Sequence, residues 1–99
     1  MPRFLPDLHR ASRDGSVNQV IDAIGENTNV SAADSLMNTP LHYAARGGYT
    51  SVVQILLDNK ADVDAQNFVG ETPLHLAIKH RCFDVTILLL NNGTMYDLF

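Results

Sequence analysis

The side chains of this 99-residue chain with the means to do chemistry are His9, His42, His75, His80 and the single cysteine, Cys82. A zinc ion needs its nitrogen ligands about 2 Å away. If His9, His42 and His75 each open a helix in a stack, neighbours stand about 8–10 Å apart, so they cannot share one ion. One thiol completes no zinc spacing either. The role left to these three is structural, a ring nitrogen tying a turn to a helix backbone. Cys82 follows His80 by two residues, a separation that turns side chains apart on a helix. No Asp or Asn is placed to orient the imidazole as the base of a nucleophile. Phosphate-cradling glycine loops, paired carboxylates and dinucleotide fingerprints are missing from the sequence. These residues predict no catalysis, no metal and no cofactor, and His80 reads as a surface side chain.

Three of the candidate histidines are positioned by a repeat. Thr39-Pro40-Leu41-His42-Tyr43-Ala44 recurs as Thr72-Pro73-Leu74-His75-Leu76-Ala77, an offset of 33 residues that marks a stacked-repeat architecture. The same offset backwards lands on Asp7-Leu8-His9-Arg10-Ala11, which keeps Leu, His and Ala without the Thr-Pro pair. The register extends past the motif: Gly15 matches Gly48, and Val20, Ala23 and Ile24 match Val53, Leu56 and Leu57, then Thr86, Leu89 and Leu90. Thr39 and Thr72 can cap helices, and the prolines after them suit a first helical position, where no N–H is needed. Those helices are expected to end near Arg46 and Lys79, with Gly47-Gly48 reversing the chain. Arg81 stands in the register of Gly48, where a left-handed backbone costs a non-glycine residue about 1–2 kcal/mol. Second helices are expected near 16–25, 50–59 and 83–92. In the middle one, Val52, Val53, Ile55, Leu56 and Leu57 cover more than one stripe of a 3.6-residue period, so it has neighbours on several sides.

These residues resemble the ankyrin repeat over about 5–93, most closely in the central copy from Thr39 through Asp64. The resemblance implies an all-α solenoid of three stacked helix-turn-helix units joined by hairpin-like β-turn loops. It forms one domain over 1–99: a first repeat at about 1–33 that caps the N-terminal end, a second at about 34–66, and a third at about 67–99 ending in a short tail. The first copy suits a cap, because Pro6-Asp7 replaces Thr-Pro and its second helix carries Asp22 and Gly25. Met95, Tyr96, Leu98 and Phe99 of the tail, or a partner chain, are candidates to cover the aliphatic end of the third. Lys60 stands where the family usually has glycine, as Gly93 does one unit on, so Lys60→Gly is expected to stabilise by up to about 1 kcal/mol.

The family also implies that first helices line a concave face and that turn tips project beside it, both used to grip partners. Arg13, Arg46 and Lys79 share one register position at the ends of the first helices, a basic ladder. Favourable placement of cations at helix C-termini is one explanation; contact with an acidic segment of a partner is the other. At the tips, Ser35, Leu36 and Asn38 match Phe68, Val69 and Glu71. Exposed there, Leu36, Phe68 and Val69 make an apolar patch of the kind that marks interaction sites, unless Phe68 folds back on its own turn. With Tyr43 and His80, these residues form the candidate partner-binding set.

Composition bounds the partner. Net charge is −4 with 45% hydrophobic and 18% charged residues, which disfavours nucleic acid, since that binding relies on excess Lys and Arg. The opening Met1–Pro6 has two prolines and no apolar run, so no secretory signal is expected. Ile87–Leu90 is too short to cross a bilayer. The chain is expected in a reducing compartment, cytoplasm or nucleus, as a monomer that binds another protein, possible roles being a small inhibitor or masking protein. The rivals are a structural piece of a longer array, self-association through the third repeat, and an adaptor delivering a client to an enzyme.

Overall fold

Thr39 and Thr72 each stop an extended segment and start a helix. The Thr39 hydroxyl accepts from the His42 N–H at 3.4 Å, and the Thr72 hydroxyl accepts from the His75 N–H at 3.3 Å. Each histidine returns the bond, its Nδ1 accepting the threonine N–H at 3.0 and 3.1 Å. The result is a reciprocal cap in which imidazole takes the part usually given to Glu or Gln, followed by proline in the first turn.

In the computed structural model, which describes residues 7–93, this start recurs in three helix pairs. They are α1 (Asp7–Asp14) with α2 (Val17–Ala23), α3 (Pro40–Gly47) with α4 (Thr50–Asp58), and α5 (Pro73–Lys79) with α6 (Phe83–Asn91). No strand occurs among the described residues. The first helices pack α1 on α3 on α5, and the second helices α2 on α4 on α6. Helix α2 is shorter than its spacing predicts, with Ser16 as its cap, accepting from the Gln19 N–H at 3.3 Å. Residues 94–99, where the tail candidates Met95, Tyr96, Leu98 and Phe99 fall, lie outside the described residues.

The turn inside each pair needs a left-handed residue: φ is +72° at Gly15, +73° at Gly48 and +60° at Arg81. The next unit packs onto that point as well. A Cβ on Gly15 would lie 2.5 Å from the Tyr49 ring, and one on Gly48 would lie 3.0 Å from Cys82 Sγ. Glycine there serves both the turn and the stacking.

The core runs through the stack without a break. Leu8, Leu41 and Leu74 repeat on the first helices, and Val53, Leu56 and Leu89 on the second, each buried. A pair taken alone would expose these faces, so no unit holds its fold without its neighbour. The histidines couple the units. His42 Nε2 donates to the Glu71 carbonyl at 2.8 Å, and His9 Nε2 bonds the Ala32 carbonyl at 2.7 Å. Each ring therefore bridges a helix start to the following turn: the His42 ring, in the second repeat, reaches into the third, whereas His9 and Ala32 both lie in the first.

Candidate functional site

Two turns and three first helices build one face. Each turn is closed by the side chain that starts it. Asp34 Oδ1 accepts the N–H groups of Leu36 and Asn38, both at 2.9 Å. Asn67 Oδ1 accepts those of Val69 and Glu71, at 3.1 and 2.9 Å. An acceptor that ties the backbone two residues on is the reason Asp and Asn favour such turns. The tip of the first turn is Met37, left-handed at φ +61°, in the register of Gly70 at +84°.

The tips are apolar and open. Leu36 is 60% exposed, Met37 50%, Phe68 75% and Val69 74%. Phe68 does not fold back on its own turn. Its N–H donates to the Leu36 carbonyl at 2.9 Å, which joins the two tips. Ser35 is exposed beside them. A continuous apolar crest of this kind is uncommon on a chain that stays unpartnered.

Below the crest lies a hollow of about 240 Å³, lined by Asn38, His42, Tyr43, Arg46, Asn67, Glu71, Leu76, Lys79 and His80. Its polar groups are largely tied to one another. Asn67 Nδ2 donates to Asn38 Oδ1 at 3.0 Å and to Glu71 Oε1 at 3.1 Å. Tyr43 donates its hydroxyl to Asp34. Lys79 Nζ sits 3.5 Å from Glu71 Oε2. The Asn67 amide, with help from Lys79, holds the Glu71 carboxyl below its usual value, although partial burial acts the other way. Burial would raise the Asp34 carboxyl, but the bonds from Tyr43, Asn38 and Leu36 together carry it below its usual value. Burial and the Asp34 carboxylate raise the Tyr43 hydroxyl. At neutral pH the hollow therefore holds the Glu71 carboxylate and a neutral phenol, the phenol donating to the Asp34 carboxylate outside the lining.

A second hollow, of about 420 Å³, opens toward the ends of the first helices and is lined by Arg13, Tyr43, Arg46, Gly47 and His80. Tyr43, Arg46 and His80 border both. Of the basic ladder, Lys79 is engaged by Glu71 and Arg13 by Asp14, at 3.2 Å. Arg46 has no ion pair among the described residues. The ladder is thus less uniform than its register implies, and its middle cation is the most available.

The partner-binding candidates named from the sequence fall on this face, divided between crest and hollows. Asp34, Asn67, Met37 and Leu76 also contribute and were not singled out. The signal for Asp34 and Asn67 was the polar residue four places before Asn38 and Glu71 in both copies. Leu76 shares the register of Tyr43. Among the described residues, no group of three or more His, Cys, Asp or Glu side chains is placed to hold a metal ion. No helix there is long and apolar enough to cross a membrane.

The family model for ankyrin repeats, in three copies, matches residues 8–98. No curated protein matches the chain.

Proposed function

The chain belongs to the ankyrin-repeat family, whose members generally serve as protein–protein interaction modules, and from that premise we propose that it binds one partner protein across the crest and the concave hollows. The observation that carries this is the junction of the two parts. The apolar crest of Leu36, Phe68 and Val69 runs into polar hollows that present Asn38, Tyr43, Arg46, Glu71, Lys79 and His80. An extended partner segment set there would bury its apolar side chains at the tips and an acidic one near Arg46. The rim cations would act chiefly on the rate of encounter, the aromatic anchor on lifetime. Covering that surface of the partner would mask it from other proteins. A reducing compartment, cytoplasm or nucleus, suits the free thiol of Cys82.

The test is capture of the partner by the chain, repeated with Phe68→Ala and Arg46→Glu combined. Loss of the captured protein, with helicity intact, supports the face; unchanged capture removes it. Self-association is a second reading, favoured by Phe83 and Ile87 on α6, which are 70% and 58% exposed. Their register partners Thr50 and Gln54 are ordinary surface positions, so neither turn nor stack requires apolar side chains there. Sedimentation mass at low and high concentration separates a monomer from an oligomer.

A further inference from the structure

The hollow at the ends of the first helices differs in charge from the one beside it. Arg13 closes α1, Arg46 closes α3 and His80 follows α5, and the three line one space of about 420 Å³ with Tyr43 and Gly47. In a chain of net charge −4, this pairing of two guanidinium groups beside an imidazole runs against the whole. Among the described residues, the only carboxylate bonded to one of them is Asp14, on Arg13. That pair is about half exposed on both sides and so is held weakly. Helix C-termini carry the negative end of the dipole, which repels anions, so any anion bound here depends on the side chains.

We propose that this hollow receives a phosphorylated serine or threonine of the partner segment, an assignment that rests on the concave face being the recognition face. A carboxylate has two oxygens and one charge, which a single guanidinium satisfies. Two guanidinium groups and an imidazole around a broad space match instead a phosphoryl group, with a charge of about −1.5 to −2 and three acceptor oxygens. The neighbouring hollow decides the source of that group. It shares Tyr43, Arg46 and His80 and is lined by the Asn38 and Asn67 amides and a balanced Glu71–Lys79 pair. Such a surface fits the peptide flanking a phosphorylated residue, whereas a lipid tail would need an apolar channel there.

The test uses the intact chain and three alanine-based heptapeptides carrying one phosphoserine, one aspartate or one serine, followed by NMR. The phosphoserine peptide should give saturable shifts at the Arg13 and Arg46 Nε–H groups, the Gly47 amide and the His80 ring. Its affinity should exceed that of the aspartate peptide by about tenfold or more, given the extra charge and oxygens, with the serine peptide silent. Arg13→Gln and Arg46→Gln should each remove most of the affinity and Lys79→Gln little, in variants whose spectra retain native dispersion. Equal affinity for phosphoserine and aspartate, no saturable shift, or persistence of binding in the Arg13→Gln, Arg46→Gln double variant would overturn the proposal. Capture of a partner that survives dephosphorylation and still needs Phe68 would sink this inference alone. Peptide binding without capture through the face would instead sink the broader reading.

Discussion

Ser12 is fully buried, and its hydroxyl has no hydrogen-bond partner among the described residues. One unit on, the same register holds Ala45, equally buried. An unsatisfied buried hydroxyl costs about 1–3 kcal/mol, so Ser12→Ala should stabilise by about 1 kcal/mol. In a domain of this size that raises the melting temperature by about 4–8 °C, readable by thermal unfolding. Lys60 has φ +66°, in the register of Gly93 at +82°. Relief of about 1–2 kcal/mol of left-handed strain, less the entropy glycine loses on folding, predicts a gain of up to about 1 kcal/mol for Lys60→Gly. A fall in melting temperature would contradict the register. This strain was legible from alignment of the copies. The same alignment missed Met37 at +61°, because its glycine counterpart, Gly70, was not among the residues compared.

The reciprocal caps decide how the helices answer to pH. His42 Nδ1 accepts the Thr39 N–H, so the neutral ring carries its proton on Nε2 and spends it on the Glu71 carbonyl. Burial holds the His42 pKa below its ordinary 6.5, although the Glu71 carbonyl and nearby carboxylates favour the charged form. A second proton would face the Thr39 N–H and undo the cap. With the folded pKa below the unfolded one, the unfolded chain binds more protons in between. The stability this supplies is complete above pH 6.5 and is lost as pH falls through the depressed folded value. Denaturant titrations across that range should show the native chain losing stability and His42→Asn, already weaker, losing less. Parallel slopes would contradict the assignment. The Thr-Pro-Leu-His signature foretold the helix starts, and a tie from ring to turn was expected. That the tie crosses to the following unit was not readable, since the length and path of 61–71 depend on where the next pair docks. His9 shows the reverse: its Nδ1 is buried with no partner among the described residues, and proline, which stands at position 6 in the register of Thr39, has neither an N–H nor a hydroxyl to offer.

Stacking hides the aliphatic sides and leaves exposed the crest and the two hollows that we propose meet a partner. The repeat made the stack and the side of each residue legible. It could not reveal which cations are engaged, since the Lys79–Glu71 approach depends on how far the turn before Thr72 leans over α5. Arg46→Glu should therefore slow association with the partner and flatten its salt dependence more than Lys79→Glu, in stopped-flow or surface binding at two ionic strengths. The central claim, that recognition occurs on this face, is tested most directly by photocrosslinking. A photoreactive phenylalanine derivative is placed at Tyr43, at Phe68 or, on the opposite side of the stack, at Gln54. The account predicts partner adducts from positions 43 and 68 and none from 54; adducts from 54 alone would contradict it.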